Sequence, residues 1–191
     1  MKLALAILTA CSAGLLSAQE FKLGSKAGDF QIQDLDGKQI AFSSLRGPVT
    51  VVTFIATQCP VSNAYNQRMN ALYRDYAPKN VKFVFINANR SEPASEVRQH
   101  AKNAAFVFPV YKDANNVVAD RFGADVTPES YIIDSNWIIR YHGYIDDSMN
   151  EPRVRKQGLR LALDAVLLNK PVEAAETKAF GCTIKRARKS T

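Results

Sequence analysis

The fold of this chain is decided by the stretch Val49-Thr-Val-Val-Thr-Phe-Ile-Ala-Thr-Gln-Cys-Pro-Val-Ser62. From Val49 to Ala56 the residues are apolar or β-branched, which is typical of a strand that is buried on both faces. The run stops at Cys59, and a helical pattern begins immediately after it. We therefore expect a buried strand to deliver one thiol to the N-terminus of a helix, where unpaired N–H groups favour the thiolate.

The tetrapeptide that begins at Cys59 points to thiol chemistry. Cys59 and Ser62 form C-x-x-S, which is a redox C-x-x-C motif with its second sulfur replaced by oxygen. Pro60 lacks an N–H group and fits the first turn of a helix, so it makes the corner rigid. We predict that Cys59 is a nucleophile and that Ser62 hydrogen-bonds its thiolate but cannot resolve a mixed disulfide. The alternative is that Cys59 merely packs beneath the helix as a buried free cysteine.

The pattern on either side of this stretch predicts a mixed α/β fold. Residues 30–42 alternate apolar and polar side chains around an Asp36-Gly37 turn, which predicts a β-hairpin. Apolar residues at helical spacing predict a helix over 61–76. Further strands are expected at 81–88, 106–111, 131–133 and 137–141, and further helices at about 91–105, 115–122 and 150–168. This order predicts an α/β sandwich in which helices flank a mixed central sheet, with an N-terminal β-hairpin.

The ends of the chain differ in composition from its centre. Residues 1–18 resemble a signal peptide, with one early positive charge followed by an apolar run, so we expect export to the bacterial periplasm. A lipobox-like sequence ends at Cys11, and a lipid on that cysteine would anchor the protein as a lipoprotein. The apolar run continues past Cys11 instead of ending there, so we favour the interpretation that Cys11 is an ordinary leader residue. We expect one α/β domain over 19–168 and a basic tail over 169–191 that carries Cys182.

The net charge of +7 comes mainly from that tail. Its late positive charges follow the last acid, Glu176, and are Lys178, Lys185, Arg186, Arg188 and Lys189. Such a cluster could touch a membrane surface or simply be solvated. No basic-aromatic motif supports nucleic-acid binding, and no glycine-rich phosphate loop supports nucleotide binding.

The element order and several short motifs resemble the thioredoxin fold in its redoxin form. The matching elements are Asp29 to Lys38, Ser44 to Gly47, and Phe54 to Pro60. They resemble exported thiol-disulfide redoxins of the alkyl-hydroperoxide-reductase/thiol-specific-antioxidant superfamily, closest to a peroxiredoxin-like group. The resemblance further implies that Val126-Thr127-Pro128 is the cis-proline loop. Thr127 and Pro128 would then hold a substrate peptide beside Cys59.

The chain departs from both main branches of that superfamily. Thioredoxins have tryptophan at the position of Gln58, a second cysteine at Ser62 and a buried acid at Thr53. Peroxiredoxins carry P-x-x-x-T-x-x-C. Counted back from Cys59, the proline and threonine positions hold Val52 and Ala56, and counted back from Ser62 they hold Ile55 and Cys59. The resemblance therefore implies thiol-disulfide exchange rather than standard peroxidase chemistry, with an atypical thiol peroxidase as a further alternative.

Cys182 is the other cysteine outside the leader, and it follows Gly181, which allows a sharp bend. It could resolve an oxidised Cys59, remain a free thiol, or form a static bridge. Expected partners are protein or small-molecule thiols and disulfides. A second hypothesis is a non-catalytic copper-handling or partner-binding protein with a Cys59/Cys182/His142 cluster and Met69 as a soft ligand. These spacings match no standard metal motif, so neither a metal site nor a cofactor is predicted.

Overall fold

A mixed β-sheet flanked by helices forms the centre of the computed structural model, which describes residues 20–187. The strands are β1 Gln31–Gln33, β2 Gln39–Ala41, β3 Val49–Ile55, β4 Val81–Asn87, β5 Val110–Lys112, β6 Val126–Thr127, β7 Glu129–Ile133, β8 Ile139–Gly143 and β9 Cys182–Thr183. The α-helices are α1 Phe42–Leu45, α2 Pro60–Ala64, α3 Asn66–Tyr76, α4 Ala94–Asn103, α5 Val117–Phe122 and α6 Gly158–Leu167. The signal-peptide prediction and Cys11 lie outside the described residues.

Within the described range, the main sheet has the strand order β2-β1-β5-β4-β3-β7-β8. Strand β3 runs parallel to β4 and antiparallel to β7, with Val51 opposite Phe83 on one side and Ile132 on the other. Every residue of β3 is buried, as expected for a central strand covered on both faces. The predicted α/β sandwich with a mixed sheet and an N-terminal hairpin, β1–β2, is confirmed.

Alternate residues of β3 supply the two halves of the core. Val52 and Phe54 enter a cluster rich in phenylalanine, while Val51 and Ile55 face the other side of the sheet. The helix α3 covers that second side with Met69 and Leu72, together with Leu159 and Leu163 of α6. Packing on both faces therefore fixes the end of β3, from which the Cys59 loop emerges.

Several helices differ from the pattern in where they begin. The predicted helix over 61–76 is divided into α2 and α3 at Tyr65, whose buried hydroxyl donates to the Asp146 carbonyl at 3.1 Å. The last helix starts at Gly158 rather than near residue 150, because a 3₁₀ turn, Glu151–Arg153, precedes it. The helix expected from residue 91 starts at Ala94 because the Glu92 side chain turns inward.

The chain beyond α6 returns to the sheet. We call residues 175–187 the C-terminal segment. It pairs with β8 through His142, whose N–H donates to the Ala175 carbonyl and whose carbonyl accepts from Thr177, both at 2.9 Å. It then pairs antiparallel with β6 as β9. Neither β6 nor β9 is predicted by the sequence pattern, since each has two residues.

In the described part of the chain, none of the helices has both the length and the apolar character needed to span a bilayer.

Candidate active site

Cys59 caps the start of α2, as the strand-to-helix pattern predicts. Its Sγ accepts a hydrogen bond from the Ser62 N–H at 3.3 Å, and its thiol donates to the Thr127 carbonyl at 3.4 Å. Pro60 occupies the first helical position. The bond from Ser62 comes from its backbone, whereas its hydroxyl oxygen accepts from the Ala56 N–H at 3.1 Å. Ser62 therefore supports both the sulfur and the turn before it.

The loop beside Cys59 contains the predicted cis-proline. The Thr127–Pro128 peptide bond is cis, which confirms that prediction. Thr127 is buried and presents its carbonyl oxygen to the Cys59 sulfur. The position expected for a substrate peptide along Thr127 is taken by the chain itself, because Cys182 of β9 is its pairing partner.

Cys182 lies directly against Cys59, although 123 residues separate them in sequence (182 − 59). The two cysteines meet at Thr127, whose carbonyl accepts from the Cys59 thiol at 3.4 Å and whose backbone pairs with Cys182. Gly181 makes this approach possible, since a Cβ atom there would overlap the Thr127 carbonyl oxygen. Both cysteines are free thiols, with Cys59 buried and Cys182 partly exposed.

The two sulfurs are not equivalent as acids. Burial by itself would raise the pKa of Cys59, but hydrogen bonds from the Cys182 thiol, the Ser62 N–H and the Thr127 side chain outweigh it and lower that pKa. The bond that Cys182 donates to Cys59 raises the pKa of Cys182, and burial adds to this. Of the two thiols, Cys59 is therefore the more acidic and the first to lose its proton.

A buried carboxylate holds the loop that leads into Cys59. Glu92 is 1% exposed and accepts from the N–H groups of Thr57 at 2.8 Å and Gln58 at 3.1 Å. It also accepts from the side-chain amides of Asn87 at 2.5 Å and Asn89 at 2.8 Å. Burial alone would raise its pKa, but these four bonds lower it, so Glu92 is a charged anchor at neutral pH.

A buried lysine balances that charge through the same two asparagines. The Lys112 ammonium donates to the Asn87 side chain at 2.5 Å and to the Asn89 carbonyl at 2.6 Å. Burial lowers the pKa of Lys112, and the nearby Glu92 charge opposes that change. The Asn89 side-chain oxygen also accepts from the Lys185 N–H at 2.7 Å, which ties the C-terminal segment to the same network.

A second buried carboxylate holds the cis-proline loop. Glu129 accepts from the N–H groups of Asp125 at 2.8 Å and Val126 at 3.1 Å. It also contacts the Tyr131 hydroxyl at 3.1 Å and the His142 Nε2 atom at 2.5 Å. Burial alone would raise its pKa, but these bonds, led by that from His142, lower it. Each side of the sulfur pair therefore rests on a loop fixed by a buried acid.

The sequence did not assign these two acids a role. Glu92 precedes Pro93 and lies near the start of the helix predicted at about 91–105, while Glu129 directly follows Pro128. An acid at the head of an otherwise apolar strand was the available signal for Glu129. Thr53, where thioredoxins have a buried acid, instead shares a hydrogen bond of 2.9 Å with the Ser130 hydroxyl.

The cluster suggested for copper or zinc is not assembled. His142 stacks on Tyr131 at a centroid distance of 4.5 Å and directs Nε2 to Glu129. Met69 is fully buried in the core beneath α3. Among residues 20–187, no group of three or more His, Cys, Asp or Glu side chains has a metal-binding arrangement. The other histidine, His100, is half-buried, and its Nε2 atom lies 3.4 Å from the Asn66 side-chain amide nitrogen.

Comparison with known proteins gives the same fold and a family. The model of the AhpC/TSA family matches residues 23–142. A solved structure of an uncharacterized conserved protein from Geobacillus kaustophilus is 30% identical, with a TM-score of 0.82 over 89% of this chain and 95% of that one. A hypothetical protein from Sinorhizobium meliloti 1021 is also 30% identical, with a TM-score of 0.79 over 88% of this chain and 97% of that one.

A named relative is similar over a shorter span. The thiol-disulfide oxidoreductase ResA of Geobacillus thermodenitrificans is 29% identical over 114 residues, which are 60% of this chain and 64% of that protein. The chain thus spans less than two thirds of that relative's length. The family match covers the hairpin, the Cys59 corner and the cis-proline loop, and on these grounds the chain belongs to the AhpC/TSA family.

Proposed function

We propose that this protein carries out thiol-disulfide exchange with Cys59 and Cys182 as its redox pair. The observation that carries the proposal is that both thiols meet at Thr127, whose carbonyl accepts from the Cys59 thiol and whose backbone pairs with Cys182. Two sulfurs in such contact need no large rearrangement to form a bond, and one of them is favoured as the thiolate. Ser62 lacks the sulfur of a C-x-x-C motif, and Cys182 supplies it from the other end of the chain.

The proposed cycle is a two-electron exchange. In the dithiol form, Cys59 is the thiolate and Cys182 the thiol. In the disulfide form, the two sulfurs share a bond. Two electrons and the Cys182 proton have passed to the partner's disulfide, which becomes a dithiol by taking a second proton from water. Because Cys59 has the lowered pKa, it is the better leaving group when the bond is opened.

The relatives' names are consistent with this chemistry, since ResA of Geobacillus thermodenitrificans is a thiol-disulfide oxidoreductase. The proposed partners are protein or small-molecule thiols and disulfides. The leader-like residues 1–18 support export to the periplasm, where disulfides persist. Membrane-surface contact through the tail has less support, because Arg186 pairs with Asp120 at 2.9 Å and Asp125 at 3.3 Å.

The proposal is tested by activity of the mature protein towards a dithiol. Oxidised wild type should convert one equivalent of reduced dithiothreitol, and both Cys59→Ser and Cys182→Ser should abolish this stoichiometric oxidation. Thr183→Ser, next to Cys182 but exposed, is the matched control and should react like wild type. If either cysteine variant retained full oxidising capacity, the pair would not be the redox centre.

The same two sulfurs also favour a second candidate, copper handling, because adjacent soft thiolates select Cu(I). That function predicts stoichiometric Cu(I) retention by the reduced protein under anaerobic conditions, lost when either cysteine is replaced. Failure to retain Cu(I) would reject it and leave the exchange proposal intact.

A further inference from the structure

Cys59 is covered by the protein's own chain. Cys59 is 3% exposed, and the Thr127 carbonyl, the Ser62 N–H and the Cys182 thiol surround its sulfur. Exchange requires an incoming sulfur to approach along the line of the bond that breaks, so a covered sulfur is a poor target. A partner meeting this surface cannot reach Cys59 without displacing β9.

The C-terminal segment that covers Cys59 is firmly attached. Ile184 is 3% exposed within the phenylalanine-rich core cluster, and its N–H donates to the Asp125 carbonyl at 2.9 Å. The Lys185 carbonyl accepts from the Arg90 N–H at 2.8 Å, and the Ala187 N–H donates to the Asn116 side chain at 2.6 Å. Displacing the segment would break all of these contacts together and expose Ile184, so Cys182 is held in place beside Cys59 and is not carried there by a mobile tail.

Cys182 has the opposite setting. It is partly exposed, and both of its neighbours in the chain, Gly181 and Thr183, are exposed. Pro60 is exposed across the sulfur pair. The Lys185 charge lies close enough to act on the Cys182 thiol and stabilises its ionised form. The Cys182 sulfur is therefore the one that an external sulfur can approach.

Resting on the proposed exchange function, we propose that Cys182 is the cysteine that forms the mixed disulfide with the partner, and that Cys59 is the internal cysteine that opens or closes the pair. This assignment reverses the roles expected from the sequence, in which Cys59 forms the mixed disulfide with the partner and Cys182 resolves that disulfide.

The reduction of the pair then has two balanced steps. A partner thiolate attacks Cys182 Sγ, the Cys59–Cys182 bond breaks, and Cys59 departs as a thiolate that accepts the Ser62 N–H. A second thiolate of the same dithiol partner attacks the partner sulfur bound to Cys182. The partner becomes a disulfide, and Cys182 leaves as a thiolate and takes up a proton. The partner loses two electrons and the protein gains them.

The reverse direction uses the hydrogen bond between the two sulfurs. The Cys182 thiol passes its proton to the Cys59 thiolate as Cys182 attacks a partner disulfide and displaces one partner sulfur. Cys59 then loses that proton to the displaced partner thiolate. It attacks Cys182 Sγ, which releases the second partner sulfur and forms the internal disulfide.

Two single-cysteine variants test whether the exposure of a thiol or its acidity sets its rate of reaction with an external disulfide. Reduced Cys59→Ser and Cys182→Ser are each mixed at neutral pH with the disulfide dithiobis(nitrobenzoate), which releases a coloured thiolate when a protein thiol reacts. We expect Cys182, in Cys59→Ser, to react at least about tenfold faster than Cys59, in Cys182→Ser, although Cys59 has the lower pKa. The two rates should become similar in guanidinium, which shows that the folded chain causes the difference. A faster reaction of Cys59 in the folded state would overturn the proposal.

The wild-type protein gives the second measurement. Oxidised protein is mixed with limiting reduced glutathione, quenched in acid, blocked at its free thiols and digested with trypsin. Cys59 and Cys182 fall on separate tryptic peptides, 47–68 and 179–185. We expect glutathione on the peptide 179–185. Glutathione on 47–68, with dithiol oxidation by the wild type intact, would reject the assignment but keep the exchange function. Loss of dithiol oxidation in the wild type would reject both.

Discussion

The segment that carries Cys59 and the segment that carries Cys182 meet at one point but are held there differently. The first is built from consecutive residues at the end of β3, and Glu92 anchors its backbone from beneath. The second depends on pairing with β6, on burial of Ile184 and on contacts with distant parts of the chain. The acidity of Cys59 is thus partly local, whereas the presence of a second sulfur depends on docking of the C-terminal segment.

This difference predicts that damage to the two segments has different consequences. Damage to the Cys59 loop should change stability and the chemistry of the thiolate together. Damage to the C-terminal segment should separate the sulfurs while the central sheet remains folded.

The largest effect is expected for Glu92→Ala. The change leaves four buried or half-buried donors without their acceptor and removes the acid that acts most strongly on the Lys112 charge. We expect the free energy of unfolding to fall by about 3 to 5 kcal/mol, measured by urea denaturation of the reduced protein. Glu96→Ala is the matched control, since Glu96 bonds the Thr57 hydroxyl and the Gln58 side chain instead of their backbone. A loss as small as that of the control would contradict the anchoring role.

Ile184→Ala tests the attachment of the C-terminal segment. Removing most of a fully buried side chain should cost about 2 to 4 kcal/mol, with part of that cost expressed as local release of β9. We therefore expect faster alkylation of Cys59 and slower formation of the internal disulfide, both read by mass spectrometry. Unchanged alkylation of Cys59 alongside the expected loss of stability would show that β9 does not shield it.

The charge on Cys59 gives a pH-dependent effect of intermediate size. Its folded pKa is lowered, so its contribution to the stability of the reduced protein is present above the free-thiol value of about 8.5 and lost as pH falls through the folded pKa. The ultraviolet absorbance of the thiolate should titrate below that free-thiol value and vanish in Cys59→Ser. Cys182→Ala should raise the pKa of Cys59 more than Cys182→Ser, because serine retains a hydroxyl donor. Equal titrations in these two variants would show that Cys182 does not donate to Cys59.

The smallest effect is expected for Arg186→Ala. Its ion pairs with Asp120 and Asp125 are partly exposed, so their removal should lower the free energy of unfolding by less than about 1 kcal/mol. The rate of dithiol oxidation should be unchanged within a factor of about two. A loss as large as that of Ile184→Ala would mean that the segment is held mainly by charge.

The sequence predicted the parts of the site that are local. The buried run before Cys59, the proline after it and the resemblance of residues 126–128 to a cis-proline loop were enough to predict the fold, the corner and the cis bond. Boundaries failed where a side chain turned inward, as at Glu92, or where a 3₁₀ turn replaced the start of a helix, as at Glu151–Arg153.

The parts that could not be predicted depend on distant contacts. The two-residue strands β6 and β9 have no periodicity, and their pairing joins residues that are 55 (182 − 127) and 57 (183 − 126) positions apart in the sequence. The basic composition of the tail suggested a solvated end, but Ile184 is buried and Arg186 is paired. Glu92 and Glu129 resemble ordinary surface acids in sequence, because the N–H groups that they bind come from the Cys59 loop and the cis-proline loop.

A redox titration of the mature protein shows whether Cys59 and Cys182 form a reversible disulfide. The protein is equilibrated in glutathione buffers of graded potential, quenched, digested and analysed for a cross-link between the peptides 47–68 and 179–185. We expect one reversible two-electron transition, in which the Cys59–Cys182 disulfide replaces both free thiols. Neither single-cysteine variant should show this transition. Two thiols that remain free, or that are modified independently across the whole range of potential, would contradict it.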